Sequence, residues 1–356
     1  MGINVLSLFD GISCGRVALD RANIQVDKYY ASEIDKYAIK VAQKNYPDTI
    51  QLGDINNWRK WNIQWETIDL VIGGSPCQGF SNAGKGLNFN DPRSALFFVF
   101  VDILNHIRNV NPNVKFLLEN VKMKKQWLDI ISKWLNVEPV EINSSLVSAQ
   151  NRQRFYWTNI AKITQPEDKH IYLKDILMTT NTKRIPEYGN GEKSRPLTCH
   201  YSNNFGGWYD RITDPNPNKQ QIDVLAQALN PTIDNKAHCI KAQYYKNSIA
   251  NFVTNKGFDA TGVAENVKYF EELKSKNNVF ESKNSVVIIY GKEYNIGLSD
   301  GLWMFRKLSP IECERLQTLP ENYTDGISDT QRYKCIGNGW TVDVIAHIFS
   351  FLHKGE

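Results

Sequence analysis

The sequence predicts an α/β fold built on a mainly parallel sheet, because short β-rich runs alternate with helix-like stretches through residues 1–160. A second observation is the apolar stretch "SALFFVFVDILNHIRNV", which follows "DPR" and predicts a buried helix. Acidic and polar residues also follow the ends of the β-rich runs. Ligands bind at that edge of open α/β sheets, so we expect a Rossmann-like sheet with its site there.

Five runs are the predicted strands of this sheet. In chain order they read "INVLSLF", "KYYAS", "IDLVIGG", "VKFLLEN" and "RFYWTNI". Farther on, "SPIECERLQ" predicts a helix start, with Ser309 as N-cap, Pro310 at the first helical position and Glu312 completing a capping box. The last predicted helix, in "TVDVIAHIFSFL", has an apolar face made of Ile345, Ile348, Phe349 and Leu352.

The chain changes character after residue 160. The sequence up to about residue 300 is rich in Asn, Gly, Pro and Lys and has poor periodicity. We therefore predict a second, smaller and irregular domain of short strands and long loops at 161–302. The first domain, 1–160, is completed by 303–356, whose terminal helix is expected to pack back onto it.

Composition excludes several classes of protein. The 356 residues are 42% hydrophobic and 22% charged, which is ordinary for a globular chain, and no stretch approaches the roughly 20 apolar residues of a membrane span. The N-terminus lacks a secretory pattern, and the six cysteines include no CxxC pair. We expect a cytoplasmic protein with no membrane partner and no metal. A net charge of +4 is compatible with a polyanionic partner without requiring one.

The loops after the first strands predict a nucleoside-bearing cofactor. "LSLFDGISCG" ends a strand at Asp10 and turns through Gly11, and Glu33, at the end of the next strand, stands where a Rossmann acid holds a ribose diol. Asp54, in "LGDI", is placed to accept from an adenine amino group. The G-x-G-x-x-G spacing is missing, which argues against a dinucleotide. The alternative is a tight turn with surface acids.

Cys77, in "GGSPCQGFS", follows an apolar strand and stands between Pro76 and Gln78. A cysteine is most often a buried small hydrophobe, but the proline and the flanking glycines favour a thiol presented at a strand end. A thiolate is a soft nucleophile suited to conjugate addition. Cys77 is therefore the candidate nucleophile.

Two further stretches carry candidate catalytic residues. "VKFLLENV" ends a strand at Glu119 and Asn120, where a carboxylic acid can share a proton with a ring nitrogen, or cap a helix. "SAQNRQRFYW" places Arg152 and Arg154 two apart on a β-like segment, so that both project from one face. Such a pair can hold a phosphate or a pyrimidine carbonyl, or form a solvated edge.

These stretches, in this order, resemble the motifs of the DNA cytosine-5 methyltransferases. "LFDGISCG" resembles the S-adenosylmethionine loop of that family, "GGSPCQGFS" its Pro-Cys motif and "ENV" its Glu-Asn-Val motif. Gln150, Arg152 and Arg154 match its Gln-x-Arg-x-Arg motif. "RKLSPIECERLQTLP" and "IGNGWTVDVIAHI" resemble its last two motifs, so the resemblance covers residues 1–160 and 303–356. The cofactor loop is similar to that of the de novo DNA methyltransferases and their prokaryotic and phage relatives, and the composition favours a stand-alone prokaryotic or phage modification enzyme.

The resemblance implies a methyltransferase fold and transfer of a methyl group from S-adenosylmethionine to C5 of cytosine in a specific double-stranded DNA sequence. Cys77 would add to C6, and Glu119 would hold N3 and the exocyclic amine. Arg154 would bind O2, and Arg152 would support the Cys77 loop or a phosphate, although the division between the two arginines stays open. The target nucleotide must be flipped out of the duplex to reach this pocket.

The resemblance also assigns the remaining site residues. The residues expected around the cofactor are Phe9, Asp10, Gly11, Ile12, Ser13, Glu33, Ile34, Asp54, Ile55, Asn338 and Trp340. The residues expected to contact the substrate are Pro76, Gln78 and Asn120. The 161–302 region would recognise the target, through Thr198 or Thr232. We expect a monomer, with any cognate restriction endonuclease acting independently.

Three alternative functions can be distinguished by the sequence features that each would need. A transfer RNA cytosine-5 methyltransferase would keep the chemistry, but that subgroup has a smaller variable region. A catalytically silent DNA-binding regulatory relative should lack the nucleophile or the acid of "ENV", whereas this chain has both. A folate-dependent pyrimidine nucleotide methylase would also use a Pro-Cys nucleophile, but it would not need the acidic cofactor loops.

Overall fold

The computed structural model describes residues 2–76, 92–178, 226–229, 236–239, 242, 244, 262–266, 279–289, 291–295 and 298–352. The chain divides into two compact units. The first comprises Met1–Tyr172, Cys239–Tyr245 and Cys313–Glu356, and the second comprises Leu173–His238 and Lys246–Glu312. A short segment from the middle of the chain therefore belongs to the first unit.

The first unit is built on a seven-stranded sheet with the strand order β3-β2-β1-β4-β5-β8-β6. Its strands are β1 (Ile3–Leu8), β2 (Val26–Ser32), β3 (Ile50–Gln51), β4 (Leu70–Gly73), β5 (Lys115–Val121), β6 (Val140–Asn143) and β8 (Gln153–Thr158), and the two-residue β7 (Gln150–Asn151) precedes β8. The first five pair in parallel, whereas β8 lies antiparallel between β5 and β6. The predicted mainly parallel α/β sheet is confirmed, and all five predicted runs are strands.

Helices cover the sheet on both faces. The described helices are α1 (Cys14–Arg21), α2 (Lys36–Asn45), α3 (Pro92–Val110), α4 (Lys125–Leu135), α5 (Leu173–Ile176), α6 (Pro310–Leu316), α7 (Asp329–Asn338) and α8 (Val342–Phe349). Short 3-10 turns occupy Ile55–Lys60, Trp65–Thr67 and Ser144–Leu146. None of the helices in the described ranges is long and apolar enough to cross a bilayer.

Alternation along the strands divides the core of the first unit into two clusters. Val5 and Ile72 belong to the cluster that contains α1 and α8, whereas Leu6 and Val71 belong to the cluster that contains α3 and α4. Successive side chains of a strand point to opposite faces, so a strand covered on both faces is apolar throughout. This explains why the runs read as continuous hydrophobic stretches.

The C-terminal helices have the predicted starts and contacts. The Ser309 backbone N–H donates to Glu312 Oε2 at 2.6 Å and the Glu312 N–H donates to Ser309 Oγ at 3.2 Å, which is the expected capping box. Glu312 also pairs with Arg306 through both guanidinium nitrogens. In α8, Ile345 and Phe349 are fully buried in the cluster that contains α1. The terminal helix therefore packs against the parallel sheet.

The described part of the second unit contains a six-stranded antiparallel sheet in the order β14-β13-β12-β15-β11-β9. Its strands are β9 (Ala226–Leu229), β11 (Gly262–Asn266), β12 (Val279–Lys283), β13 (Val286–Ile289), β14 (Lys292–Asn295) and β15 (Gly301–Lys307); the two-residue β10 (Ala237–His238) lies outside this sheet. Asn284 and Ser285 both have positive φ and form the two-residue turn between β12 and β13, as a type I′ hairpin requires.

Candidate active site

The loop after β1 is tightly turned. Phe9, Gly11 and Ser13 all have φ near +60°, and Ser13 is the N-cap of α1. The Ser13 hydroxyl and the Tyr29 hydroxyl donate to the Asp10 carboxylate at 2.5 Å and 2.8 Å. These bonds hold the turn at the carboxyl end of the sheet, where a ligand is expected.

Glu33 ties this turn to the loop after β2. Its Oε2 accepts from the Gly11 N–H at 2.8 Å, and its Oε1 accepts from the backbone N–H groups of Ile34 and Asp35 at 2.7 and 2.8 Å. The Ile34 side chain beside it is 75% exposed. The fixed carboxylate suits the hydroxyl groups of a ribose, and the exposed apolar side chain suits the flat face of a base.

The remaining residues predicted for the cofactor lie in different environments. Asp54 is exposed and caps a 3-10 turn by accepting from the Asn56 N–H at 2.9 Å. Ile12 and Ile55 are buried in the two core clusters. Asn338 is exposed at the end of α7.

Burial raises the pKa of the Asp10 carboxyl from its usual 3.8 to about 6. Hydrogen bonds from the hydroxyl groups of Ser13, Ser7 and Tyr29 lower this pKa but do not cancel the effect of burial. Negative charge on Glu33 raises it further. The Asp10 carboxyl in the turn after β1 therefore keeps its proton to a higher pH than an exposed aspartic acid does.

The end of β4 approaches the end of β5 through Asn120. The buried Asn120 amide donates to the Ser75 carbonyl and hydroxyl oxygens, at 3.4 Å each, and its Oδ1 accepts from the Val121 N–H at 2.8 Å. Pro76 is half-buried and is the last described residue before Cys77. Cys77 and Gln78 lie outside the described residues. Asn120 thus fixes the backbone from which the predicted nucleophile extends.

Glu119 and Arg154 form a buried ion pair. Arg154 Nε lies 2.8 Å from Glu119 Oε1, and the side chains are 13% and 11% exposed. The antiparallel pairing of β5 with β8 sets Arg154 opposite Val121, two residues from Glu119. Cross-strand diagonal neighbours on one face are within reach of long side chains, so the sheet register itself makes this contact.

Arg152 lies on the same side but has a different partner. Its Nη2 donates to the Gly339 carbonyl at 2.9 Å, and its Nη1 donates to Cys239 Sγ at 3.2 Å. Arg154 Nη2 reaches the same sulfur at 3.8 Å. The predicted common face of the two arginines is therefore present in the structure.

Cys239 was not singled out by its sequence context. Burial raises the pKa of its thiol, but the guanidinium groups of Arg152 and Arg154 lower it by more, so the pKa lies below the usual range. No local pattern announces this contact, since 85 residues separate Cys239 from Arg154. The contact becomes evident only in the structure, which places Cys239–Tyr245 in the first unit.

Trp340 joins the two sides of the site. A Cβ atom placed on Gly74 would lie 3.0 Å from Trp340 Nε1 and 3.3 Å from Glu119 Oε2, and one placed on Gly15 would lie 3.5 Å from Trp340 Cζ3. The indole therefore lies beside the start of α1, the end of β4 and the buried acid. Gly74 has no side chain where these groups converge, so Trp340 and Glu119 can both lie close to its backbone.

Comparison with known proteins decides the family. The model of the C-5 cytosine-specific DNA methylase family matches residues 3–354. The chain belongs to this family.

Related sequences agree with the assignment. A type II methyltransferase of Lactococcus lactis subsp. cremoris, M1.ScrFI, is 28% identical over 96% of this chain and 75% of its own length. The orphan methyltransferase M.SPRI of Bacillus phage SPR is 26% identical over 98% of this chain and 97% of its own. The predicted resemblance to prokaryotic and phage cytosine methyltransferases is confirmed.

Solved structures agree on the fold. Entamoeba histolytica methyltransferase EhMeth superposes with a TM-score of 0.59 at 18% identity, covering 99% of this chain and 98% of its own. S. pombe Dnmt2 methyltransferase gives 0.55 at 16%, covering 99% of each chain. The protein is thus an enzyme with a methyltransferase fold that transfers methyl groups to cytosine in DNA, and its family and fold imply S-adenosylmethionine as the donor.

No group of three or more His, Cys, Asp or Glu side chains within the described ranges is arranged to hold a metal ion. The acids near the methylase site instead have backbone, hydroxyl or guanidinium partners.

Gly74→Val should lower methyl transfer by about tenfold or more, because its side chain would displace Trp340 or Glu119 from their present positions. The measurement is the initial rate of transfer of a radiolabelled methyl group to DNA. Val110→Ala is the control, since Val110 lies at the C-terminal end of α3 and its side chain is 49% exposed. Equal rates for Gly74→Val and wild type would contradict this account of the site.

Asp10→Asn should change how stability depends on pH. With its pKa raised to about 6, the folded chain binds more protons at Asp10 than the unfolded chain does between about pH 4 and pH 6. Ionisation of Asp10 therefore lowers the free energy of unfolding as the pH rises through this window. Urea unfolding at several pH values should show the variant gaining stability relative to wild type as pH rises, whereas a difference independent of pH would contradict the raised pKa.

Proposed function

We propose that the enzyme methylates C5 of cytosine within a specific double-stranded DNA sequence, through a covalent bond between Cys77 and C6 of a flipped-out base. The observation that carries the proposal is the buried Glu119–Arg154 pair, at the strand end next to the one that leads to Cys77. A buried acid and a buried guanidinium side by side offer complementary groups to the edge of a cytosine ring.

Glu119 and Arg154 are the proposed groups that hold the base. The Glu119 carboxyl would contact N3 and the exocyclic amine, and the Arg154 guanidinium would contact O2. Addition at C6 pushes negative charge onto N3 and O2, so a fixed acid and a fixed cation both stabilise the addition more than they stabilise the free base. Their mutual 2.8 Å contact supports this role because it orients both groups before the base arrives.

Arg152 is proposed to support the pocket rather than to bind a phosphate directly. The residue is 4% exposed, and its guanidinium is already bonded to the Gly339 carbonyl and the Cys239 sulfur. This favours one of the two roles expected from the sequence for Arg152.

Cys77 is the proposed nucleophile. Its thiolate would form a bond to C6, which makes C5 electron-rich; after C5 has been methylated, loss of the C5 proton re-forms the C5–C6 double bond and expels the thiolate. Asn120 supports this role by fixing Ser75, two residues before Cys77. Pro76 and Gln78 are proposed to contact the substrate beside it.

S-adenosylmethionine, when bound, supplies the electrophilic methyl group. The proposed binding residues are Phe9, Asp10, Gly11, Ile12, Ser13, Glu33, Ile34, Asp54, Ile55, Asn338 and Trp340. Glu33 and Ile34 fit a nucleoside best, since Glu33 is fixed by three backbone N–H groups and Ile34 is uncovered. Ile12 and Ile55 would act from the core by shaping their loops.

The 161–302 region is proposed as the target-recognition domain, with 1–160 and 303–356 as the catalytic domain. Base flipping is proposed because a thiol must attack C6 from above the ring plane, which the stacked neighbouring bases cover in a duplex, and because N3 is paired with guanine there. We further propose that the enzyme acts as a monomer, and that any cognate restriction endonuclease acts independently.

Plasmid DNA from a methylation-free host expressing this chain should contain 5-methylcytosine in one sequence context. The mark should vanish in the Cys77→Ala variant, because the variant lacks the nucleophile. Bisulfite sequencing of both plasmids, beside a vector-only plasmid, is the measurement.

Two other outcomes of this experiment would overturn the proposal. Methylation that persists in Cys77→Ala would rule out the covalent mechanism through Cys77. Unmodified plasmid from cells that contain folded wild-type protein able to bind S-adenosylmethionine would remove DNA as the substrate, and methylation of transfer RNA would be measured next.

A further inference from the structure

Gln317, just after α6, has a side chain with no solvent exposure and a complete set of partners. Its Nε2 donates to the carbonyl oxygens of Ile336 and Gly339 at 2.9 and 3.2 Å. Its Oε1 accepts from Thr341 Oγ1 at 2.9 Å and from Gln150 Nε2 at 3.3 Å. A buried carboxamide that uses both its donors and its acceptor is held in one orientation.

The partners of Gln317 come from two functional stretches of the sequence. Gln150 begins the Gln-x-Arg-x-Arg stretch, whereas Gly339 and Thr341 flank Trp340. Gln150 Nε2 and Ser148 Oγ also donate to the Leu316 carbonyl, at 3.1 and 2.6 Å, so the backbone before Gln317 is tied to the same stretch. One side chain therefore links the arginine stretch to the turn that presents the indole.

The Gly339 carbonyl connects Gln317 to Arg152 of the proposed site. It accepts from Gln317 Nε2 and from Arg152 Nη2. A carbonyl oxygen has two lone pairs, so both donors can bind at once. The direction of this carbonyl determines where the Arg152 guanidinium lies, and the next residue along the chain is Trp340.

We propose that Gln317 is a positioning residue, whose carboxamide holds the Gly339 carbonyl and thereby sets both Arg152 and Trp340 for methyl transfer. The inference rests on the proposed function. Gln317 itself is fully buried behind the site and acts only through these neighbours.

Gln317→Met tests the proposal, because methionine has a similar length and shape but cannot donate to the Gly339 carbonyl. Steady-state kinetics with DNA and S-adenosylmethionine should show kcat falling by about tenfold and KM for S-adenosylmethionine rising by roughly threefold. A variant that merely folded less completely would lower the apparent kcat and leave KM unchanged. A change in both constants is therefore specific to positioning.

Asn159→Leu is the matched control. Asn159 is another carboxamide with backbone partners, accepting from the Phe116 N–H and donating to the Val114 carbonyl at 2.9 Å each, and neither partner belongs to the site. Thermal unfolding should show that both variants lose stability, while only Gln317→Met changes KM. Wild-type KM in Gln317→Met, or equal KM changes in both variants, would overturn the positioning role.

A double variant shows whether Gln317 acts through Arg152 or independently of it. If Gln317 acts through Arg152, adding Gln317→Met to Arg152→Lys should lower kcat much less than the same change does in wild type. Equal factors in both backgrounds would overturn the link to Arg152. Failure of the wild-type enzyme to methylate DNA would instead count against the proposed function, so the two failures are distinguishable.

Discussion

The site depends on the ion pair between Glu119 and Arg154. Both charged groups are almost completely removed from water, and removing one partner of a buried pair leaves an uncompensated charge, at a cost of about 3–5 kcal/mol. The pair exists because β8 runs antiparallel beside β5, which brings Arg154 to the diagonal of Glu119. The antiparallel placement of β8 beside the parallel strands therefore produces the central contact.

Other hydrogen bonds fix the backbone of neighbouring segments. Arg152 bonds the carbonyl next to Trp340, and Asn120 bonds the backbone that leads to Cys77. The proposed site therefore combines residues of the first 160 positions with Cys239 and with the C-terminal segment around Trp340.

Much of the first unit could be predicted from local patterns. The strands around Val5, Ile72 and Leu117 read as apolar runs because both faces are covered, and the start of α6 follows from the spacing of Ser309 and Glu312. The contacts of Cys239 and Gln317 could not be predicted this way. The partners of Cys239 are 85 and 87 positions away and those of Gln317 are 19 to 167 positions away, which no periodicity records.

The most direct test of the central claim is single-turnover methyl transfer by Glu119→Gln, beside calorimetric titration with S-adenosylmethionine. A neutral amide keeps the shape of the side chain but cannot share a proton with N3. The account predicts that the methyl-transfer rate falls by on the order of a hundredfold or more while the affinity for S-adenosylmethionine stays within about twofold of wild type. Equal losses of rate and affinity would show that Glu119 acts by supporting the fold, and would contradict the account.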